Sequence, residues 1–527
     1  MKLYRAFATV GGLTLVSRIM GFLRDIAFAA VLGAGPVAEA FVVAFRLPNL
    51  FRRWFGEGAF NSAFVPLFTK RHEGDGRDAA RAFASEALSG LTFVLLVLSA
   101  AAMIAMPWLM YVLAPGFAEH PAKLDLAIVM SRIAFPYLLC MSLVALLSGV
   151  LNSIGKFIES SAVSIVLNLT LMAGMAIAWG LGYGNSPAAG IVMAWSIFAA
   201  GVLQLLLLVI GARRNGLLPR LGRPRLTAGV RELVRLGLPG IVAGGVTQLN
   251  IVIGGMIASL QAGAVSWLFY ADRLYELPLA IVGIAIGVVL LPDIARNLRT
   301  GDEAAVFDSQ NRSLEVAMLL TVPAAVALAV VPGEIISVLF QRGAFTAHDA
   351  RQVSSALALF ALGLPAFVMV KVFSPSYFAR EDTRTPMRFA AISLILNTLG
   401  SVGLFFWLRS LGWSPHLGIA IATSLGGWLN AGLLYLTLRR RGHFRGDRRL
   451  HWALPMILVS AAVMGFGLHL GAQQLQPWLA VQQSIWTRSA VLGAFLGAAA
   501  VLFFAMTLMT GALRISMLRR AFRRARG

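Results

Sequence analysis

Residues 187–212 read PAAGIVMAWSIFAAGVLQLLLLVIGA, a run without one charged side chain that is followed at once by Arg213 and Arg214. About 20 apolar residues cross the hydrocarbon core of a bilayer as a helix, so this run is long enough to span it. The rest of the chain repeats the pattern. Of 527 residues, 58% are hydrophobic and only 13% charged, with mean hydropathy +0.78, whereas a soluble domain carries about 25% charged residues. A water-soluble globular fold does not fit this composition, and the apolar content suffices for roughly fourteen crossings.

Working outward from that run, apolar stretches fall near 7–33, 36–69, 79–113, 124–152, 159–182, 187–212 and 228–260. A second group follows near 264–295, 310–340, 350–378, 386–408, 415–438, 451–473 and 486–511. The spacing predicts fourteen transmembrane helices in an all-α polytopic membrane protein. The net charge of +22 would suggest nucleic-acid binding in a soluble protein, but Lys and Arg also collect in cytoplasmic loops because they resist translocation. With both termini inside, 31 of the 45 basic residues fall on the cytoplasmic side and four outside, namely Lys123, Arg342, Arg351 and Arg409. That bias explains most of the charge and leaves nucleic acid unnecessary. The basic tail, Arg514 to Arg526, reads as an anchor on anionic lipid. The single cysteine, Cys140, excludes an internal disulfide, and no His spacing suits a metal.

An internal repeat divides the chain. Ser164-Ile-Val-Leu-Asn168 recurs as Ser393-Leu-Ile-Leu-Asn397 at an offset of 229, and Ala44-Phe-Arg46-Leu47 recurs as Ala271-Asp-Arg273-Leu274 at 227. Pro66 matches Pro292 at 226, and the Gly190/Ser196 pair matches Gly418/Ser424 at 228. Each repeat holds six helices, and an even number preserves orientation, so two parallel lobes with a cavity between them are expected. The expected organisation is a lobe over 1–212, a basic cytoplasmic linker over 213–227, a lobe over 228–441, and helices 13 and 14 with the tail over 442–527.

Ten basic residues remain in or beside helices. A charge at the bilayer centre costs about 2.5–3.5 kcal/mol on insertion scales, so such residues face a cavity or a partner. Arg18 and Asp25 share one face of the first helix, with Arg24 about 100° around. On the second helix Glu39, Arg46 and Arg53 form a stripe, with Arg52 and Glu57 on neighbouring faces. Pro48 interrupts this helix and marks a bend, since its ring removes a backbone hydrogen bond. Two readings stand side by side. The charges can pair internally as Arg18–Asp25, Glu39–Arg46 and Arg53–Glu57, which leaves Arg24 and Arg52 without a local acid. Alternatively, spare arginines line a wet cavity and bind a phosphate through the planar guanidinium fork. In the second half Asp272, Arg273 and Glu276 lie together on one helix and Lys371 stands alone on the tenth. Gly149 to Lys156 resembles a phosphate loop but has the wrong glycine spacing, and Phe157 replaces the required Ser or Thr. No nucleophile motif or carboxylate pair recommends an enzyme.

Four segments carry a resemblance: SRIMGFLRD (Ser17 to Asp25), AFVVAFRLPNLFRRWFGEGAFNSAFVP (Ala40 to Pro66), WLFYADRLYELP (Trp267 to Pro278) and VKVFSPSYFAREDTRTP (Val370 to Pro386). Through them the chain resembles the MurJ (MviN) family of bacterial lipid II flippases, within the multidrug/oligosaccharidyl-lipid/polysaccharide exporter superfamily. The resemblance implies fourteen helices, two six-helix lobes around a central cationic cavity, and a final helix pair that forms a groove for the lipid tail. It also implies the cargo: lipid II, an undecaprenyl-pyrophosphate-linked disaccharide pentapeptide, moved by alternating access from the cytoplasmic to the periplasmic leaflet of the inner membrane for peptidoglycan biosynthesis. Cell-wall synthesis proteins are implied as partners. Arg18, Arg24, Arg52 and Arg273 match the arginines that the family needs for the pyrophosphate, with Asp25 beside them and Glu39 where many relatives have Asp. Some relatives hold sodium in the second lobe. Here no Asp or Glu occurs between Val234 and Ile257 or between Thr385 and Leu438, so only the neutral oxygens of Asn250, Asn397 and Thr423 are offered, and no cofactor is expected. The competing readings are export of another polyprenyl-linked saccharide, or a membrane enzyme acting on lipid-linked sugars.

Overall fold

Prolines decide how several of the apolar stretches are cut. A proline cannot donate its backbone N–H and clashes with the preceding turn. Pro107 opens a new helix one turn after Ile104, Pro136 separates two helices that continue one another, and Pro332 starts a short helix directly after Val331. The stretch 36–69 holds the helices Pro36–Gly56 and Ala59–Gly74. The described residues form eighteen α-helices. A computed structural model describes residues 2–56 and 59–513, with side chains described over 10–50, 60–238, 250–283, 286 and 290–513.

The chain falls into two compact units, Met1–Ser266 with Arg342–Thr346, and Trp267–Gln341 with Ala347–Gly527. The first holds α1 (Lys2–Leu32), α2 (Pro36–Gly56), α3 (Ala59–Gly74), α4 (Gly76–Ile104), α5 (Met106–Leu113), α6 (Pro121–Ala134), α7 (Tyr137–Ser153), α8 (Ile158–Gly180), α9 (Pro187–Arg214) and α10 (Ala228–Ser259), with a 3-10 turn at Pro115–Glu119. The second is built from α11 (Ala264–Arg299), α12 (Glu303–Val330), α13 (Pro332–Phe340), α14 (Ala347–Phe378), α15 (Arg384–Ser410), α16 (His416–Arg440), α17 (Arg448–Leu479) and α18 (Ile485–Met509). No strand occurs among the described residues.

In the first unit α2 packs on α6, α7 and α9, α1 lies along α8, and α8 pairs with α9. Small residues on α2 allow this: Ala38, Ala40 and Ala44 are fully buried. Two glycines close the end of α1. Gly33 and Gly343 have φ of +64° and +56°, in the left-handed region that L side chains avoid. A Cβ on Gly33 would lie 2.5 Å from the Ala344 carbonyl oxygen and one on Gly343 2.2 Å from that of Ala30. The contact leaves Ala344 N–H to donate to the Ala30 carbonyl at 2.9 Å, which satisfies one of the acceptors that a helix end exposes.

The segment read as a linker is a strap. Arg77, Arg81, Ser85 and Ser89 stand four residues apart on one face of α4. Arg77 and Arg81 donate to the carbonyls of Asn215 and Leu218 at 2.6 and 2.9 Å, while Ser85 and Ser89 accept from the N–H groups of Arg220 and Gly222 at 2.9 Å each. Thr227 then caps α10 by accepting from Val230 N–H and donates to Glu86 at 2.7 Å. α10 packs on α3, and its last residue meets the 3-10 turn, where Gly116 N–H donates to Ser259 Oγ at 3.1 Å. The sequence repeat begins the second lobe at residue 228, whereas the compact unit continues to Ser266.

The second unit centres on α14 and α16, with α15 against α16 and α12 between α14 and α17. Its charges gather where the loop between α16 and α17 meets α12. Buried Glu315 is bonded by Arg312 and, at 2.6 Å, by Arg449; Arg312 also reaches Asp447, which caps α17. Arg488, at the start of α18, is buried and donates to the Ser337 carbonyl at 2.8 Å, fixing α18 to α13. An apolar groove of about 360 Å³ opens where α12, α14, α16 and α17 meet, lined by Met318, Val322, Leu362, Trp428, Ile457 and Leu458 among others.

Outward faces are apolar as well. Phe93, Val94, Trp179, Leu396, Phe466 and Val501 are all more than 45% exposed. Helices that are hydrophobic on every side suit a bilayer and not water. Ten helical segments among the described residues are long and apolar enough to cross a membrane. The chain is a multi-pass, all-α membrane protein.

Candidate functional site

Ser17, Gly21 and Arg24 follow one another at helical spacing, so they share the face of α1 that lies on α8. That face meets Asn168. A Cβ on Gly21 would sit 3.6 Å from the Asn168 amide nitrogen, an ordinary contact. Asn168 Nδ2 donates to the Ser17 carbonyl at 3.0 Å, and Asn168 Oδ1 accepts from Arg24 Nη1 at 3.0 Å. Arg24 folds back along its own helix so that Nε and Nη2 grip Asp25 Oδ1 at 3.0 and 2.7 Å. The side chains of Arg24 and Asp25 are 16% and 7% exposed, so the group is shielded but open on one side. Charge-assisted bonds of this kind are about twice as strong as neutral ones.

This pairing differs from the Arg18–Asp25 pair that the seven-residue spacing suggests. Arg18 is exposed and has no ion pair among the described residues. Its guanidinium is not needed by Asp25, because the adjacent Arg24 is long enough to wrap the roughly 100° between neighbouring positions. Arg24 therefore has its acid, and Arg18 is the cation left over.

Glu39 is 1% exposed and pairs with Lys123, which the loop count places outside the membrane-crossing helices but which is itself 7% exposed. The 3-10 turn at Pro115–Glu119 brings Phe117 under Lys123, with Nζ 3.8 Å from the ring centre. Glu39 also accepts from Val265 N–H at 3.3 Å. Arg46, one stripe position along, sits against α10 where Gly255 leaves room, since a Cβ there would lie 1.3 Å from Arg46 Nη1. Pro48 is buried inside α2. The side chains of Arg52 and Arg53, and the whole of Glu57, lie outside the described residues.

In the second unit Arg273 donates to Glu276 at 3.3 Å and lies over Phe269, 4.9 Å from the ring centre. Asp272 is half-buried beside it, and Lys371 is exposed with no ion pair among the described residues. The three neutral sodium candidates divide: Asn250 is on α10 of the first unit, while Asn397 Oδ1 on α15 accepts from Ser401 at 3.3 Å and from Thr423 on α16 at 3.5 Å. Among the described residues no three His, Cys, Asp or Glu side chains are grouped to hold a metal.

Asn168 and Lys123 have roles that composition and spacing do not announce. Asn168 had a signal, because it closes the repeated Ser-x-x-Leu-Asn motif. Lys123 had none: two residues after Pro121, it reads as a loop cation.

The family model described as lipid II flippase MurJ matches residues 28–489. A probable lipid II flippase MurJ of Rhizobium tropici is 44% identical over 528 residues, covering 100% of this chain and 98% of the relative. One of Rhizobium meliloti is 45% identical over 525 residues, covering 99% and 97%. A solved structure titled lipid II flippase MurJ, inward closed conformation, aligns with a TM-score of 0.75 at 22% identity, covering 97% of this chain and 99% of that one.

Proposed function

The chain belongs to the lipid II flippase MurJ family, and from that premise we propose that it carries lipid II from the cytoplasmic to the periplasmic leaflet of the bacterial inner membrane, by alternating access, for peptidoglycan biosynthesis. It acts as a transporter and makes or breaks no covalent bond. The observation that carries this reading is Arg24, a shielded guanidinium on a membrane helix whose acid occupies only one side of its fork. Arg18, Arg24, Arg52 and Arg273 each bring a cation to the pyrophosphate, and Asp25 tunes Arg24. Glu39, bonded to Lys123, acts as an internal brace.

Counting α1, α2, α10 and α11 as further crossings beside the ten apolar ones supports the reading of fourteen. The 31-to-four distribution of basic residues supports a topology with both termini in the cytoplasm. The polyprenyl tail stays in lipid along α17 and α18, with the groove against α12 as a further apolar surface. The neutral oxygens of Asn397 and Thr423 favour membrane potential over sodium as the driving force, worth about 2.3 kcal/mol per elementary charge per 100 mV. The test is complementation in cells depleted of their own flippase. Arg24→Ala and Arg52→Ala at normal expression are expected to abolish growth, and unimpaired growth would sink the pyrophosphate clamp. Arg24→Lys separates the two ways a cation can act: full rescue would mean that a point charge suffices and the fork does not matter.

A further inference from the structure

We infer that Asn168 is a positioning residue for the transported lipid, setting the direction in which Arg24 presents its guanidinium to an anionic oxygen pair. The inference rests on the pyrophosphate role of Arg24 proposed above and adds a residue to which that role assigns nothing.

A guanidinium carries five N–H donors. Three are committed, two to Asp25 Oδ1 and one to Asn168 Oδ1, which leaves two, one on each terminal nitrogen. The two bonds to Asp25 hold the Nε–Nη2 edge of the group against a single oxygen. With Asn168 on α8 holding Nη1, the plane is fixed from two helices. The amide of Asn168 is itself oriented. Its nitrogen donates to the Ser17 carbonyl, which can only accept, so its oxygen must face Arg24, which can only donate. Asn168 is 4% exposed, so water is a poor substitute for it. Were Asn168 absent, Nη1 would lose its fixed partner, and the two uncommitted donors would no longer be held in one direction.

In the second half of the chain Asn397 ends the equivalent motif and accepts from the Ser401 and Thr423 hydroxyls.

The experiment uses the full-length protein in lipid nanodiscs, with undecaprenyl pyrophosphate titrated by native mass spectrometry and thermal unfolding followed in parallel. Asn168→Ala is expected to weaken binding about tenfold, the effect of one misdirected charge-assisted contact, while unfolding cooperatively. In an Arg24→Ala background the same substitution should cause no further loss, because Asn168 acts through Arg24. Additive losses, or unchanged affinity in Asn168→Ala alone, would overturn the inference and assign Asn168 to helix packing. If Arg24→Ala alone leaves affinity intact, the clamp itself fails and the inference falls with it. Asn168→Ser, which keeps a polar group at the buried position, supplies the same cycle should the alanine variant not fold.

Discussion

Asn168 ends Ser164-Ile-Val-Leu-Asn168 on α8, and Asn397 ends Ser393-Leu-Ile-Leu-Asn397 on α15; both are buried, yet the first holds a guanidinium and the second holds two hydroxyls. The same backbone setting serves two electrostatic programmes. In the first unit charges are drawn into the helix interior and satisfied in pairs, Arg24 with Asp25 and Lys123 with Glu39. In the second the equivalent helix carries neutral oxygens, and the buried carboxylate, Glu315, lies at the edge of the unit beside a loop. A repeat thus fixes where a polar side chain can be placed without fixing what it binds.

The strongest way to break this contrast is to remove one charge from the first unit. Lys123→Met leaves Glu39 buried without its cation, and removing one partner of a buried pair costs about 3–5 kcal/mol. Thermal unfolding in detergent should fall accordingly, and Glu39→Gln added to Lys123→Met should recover much of the loss. No recovery would mean that the pair matters for its shape and not for its charge.

The second unit should respond more mildly. Asn397→Ala removes weak neutral bonds, each worth about 0.5–1.5 kcal/mol, so stability should drop by about 1 kcal/mol with growth by complementation unchanged. Lost growth at normal stability would give Asn397 a role in transport and erase the contrast. The smallest effect is expected outside the membrane, at Asp382. The Thr385 hydroxyl and backbone N–H donate to its carboxylate at 2.7 and 2.9 Å, Arg441 adds a third bond at 2.7 Å, and together they pull its pKa down to about 2. A depressed folded pKa stabilises above the unfolded value of about 4, and that contribution fades as pH falls through about 2. The difference in melting temperature between the native chain and Asp382→Asn should be small and constant above about pH 5, and should close between about pH 4 and pH 2. Added salt should shrink it, because Arg441, the charged partner of this half-buried carboxylate, is itself exposed.

Helix placement was legible because hydropathy is a local property: residues 187–212 correspond to Pro187–Arg214, and 415–438 to His416–Arg440. The breaks at Pro107, Pro136 and Pro332 were less so, since an apolar run reads the same on both sides of a proline. The allegiance of α10 was hidden for a different reason. It is decided by close approaches, Gly255 to Arg46 and Gly116 to Ser259, that no periodicity encodes. For the site, seven-residue spacing pairs Asp25 with Arg18, whereas Arg24 holds it. Seven-residue spacing measures which side chains share a face, whereas a long arginine reaches around one. Lys123 shows the limit most plainly. Its burial depends on a turn of Pro115–Glu119 folding beneath it, and a loop count treats every cation between helices as wet.

The closure of α1 by Gly343 and Ala344 bears on how the protein is made. The first unit reaches Ser266 in one continuous run, but its last piece, Arg342–Thr346, is separated from it by most of α11, α12 and α13. A ribosome adding about 5–20 residues per second needs roughly 4–16 s for the 80 residues from Trp267 to Thr346. Through that interval the carboxyl end of α1 must wait in the bilayer with the Ala30 carbonyl lacking the Ala344 N–H that later meets it. Biogenesis is therefore not sequential by halves: the first unit is finished only by a fragment synthesised in the middle of the second.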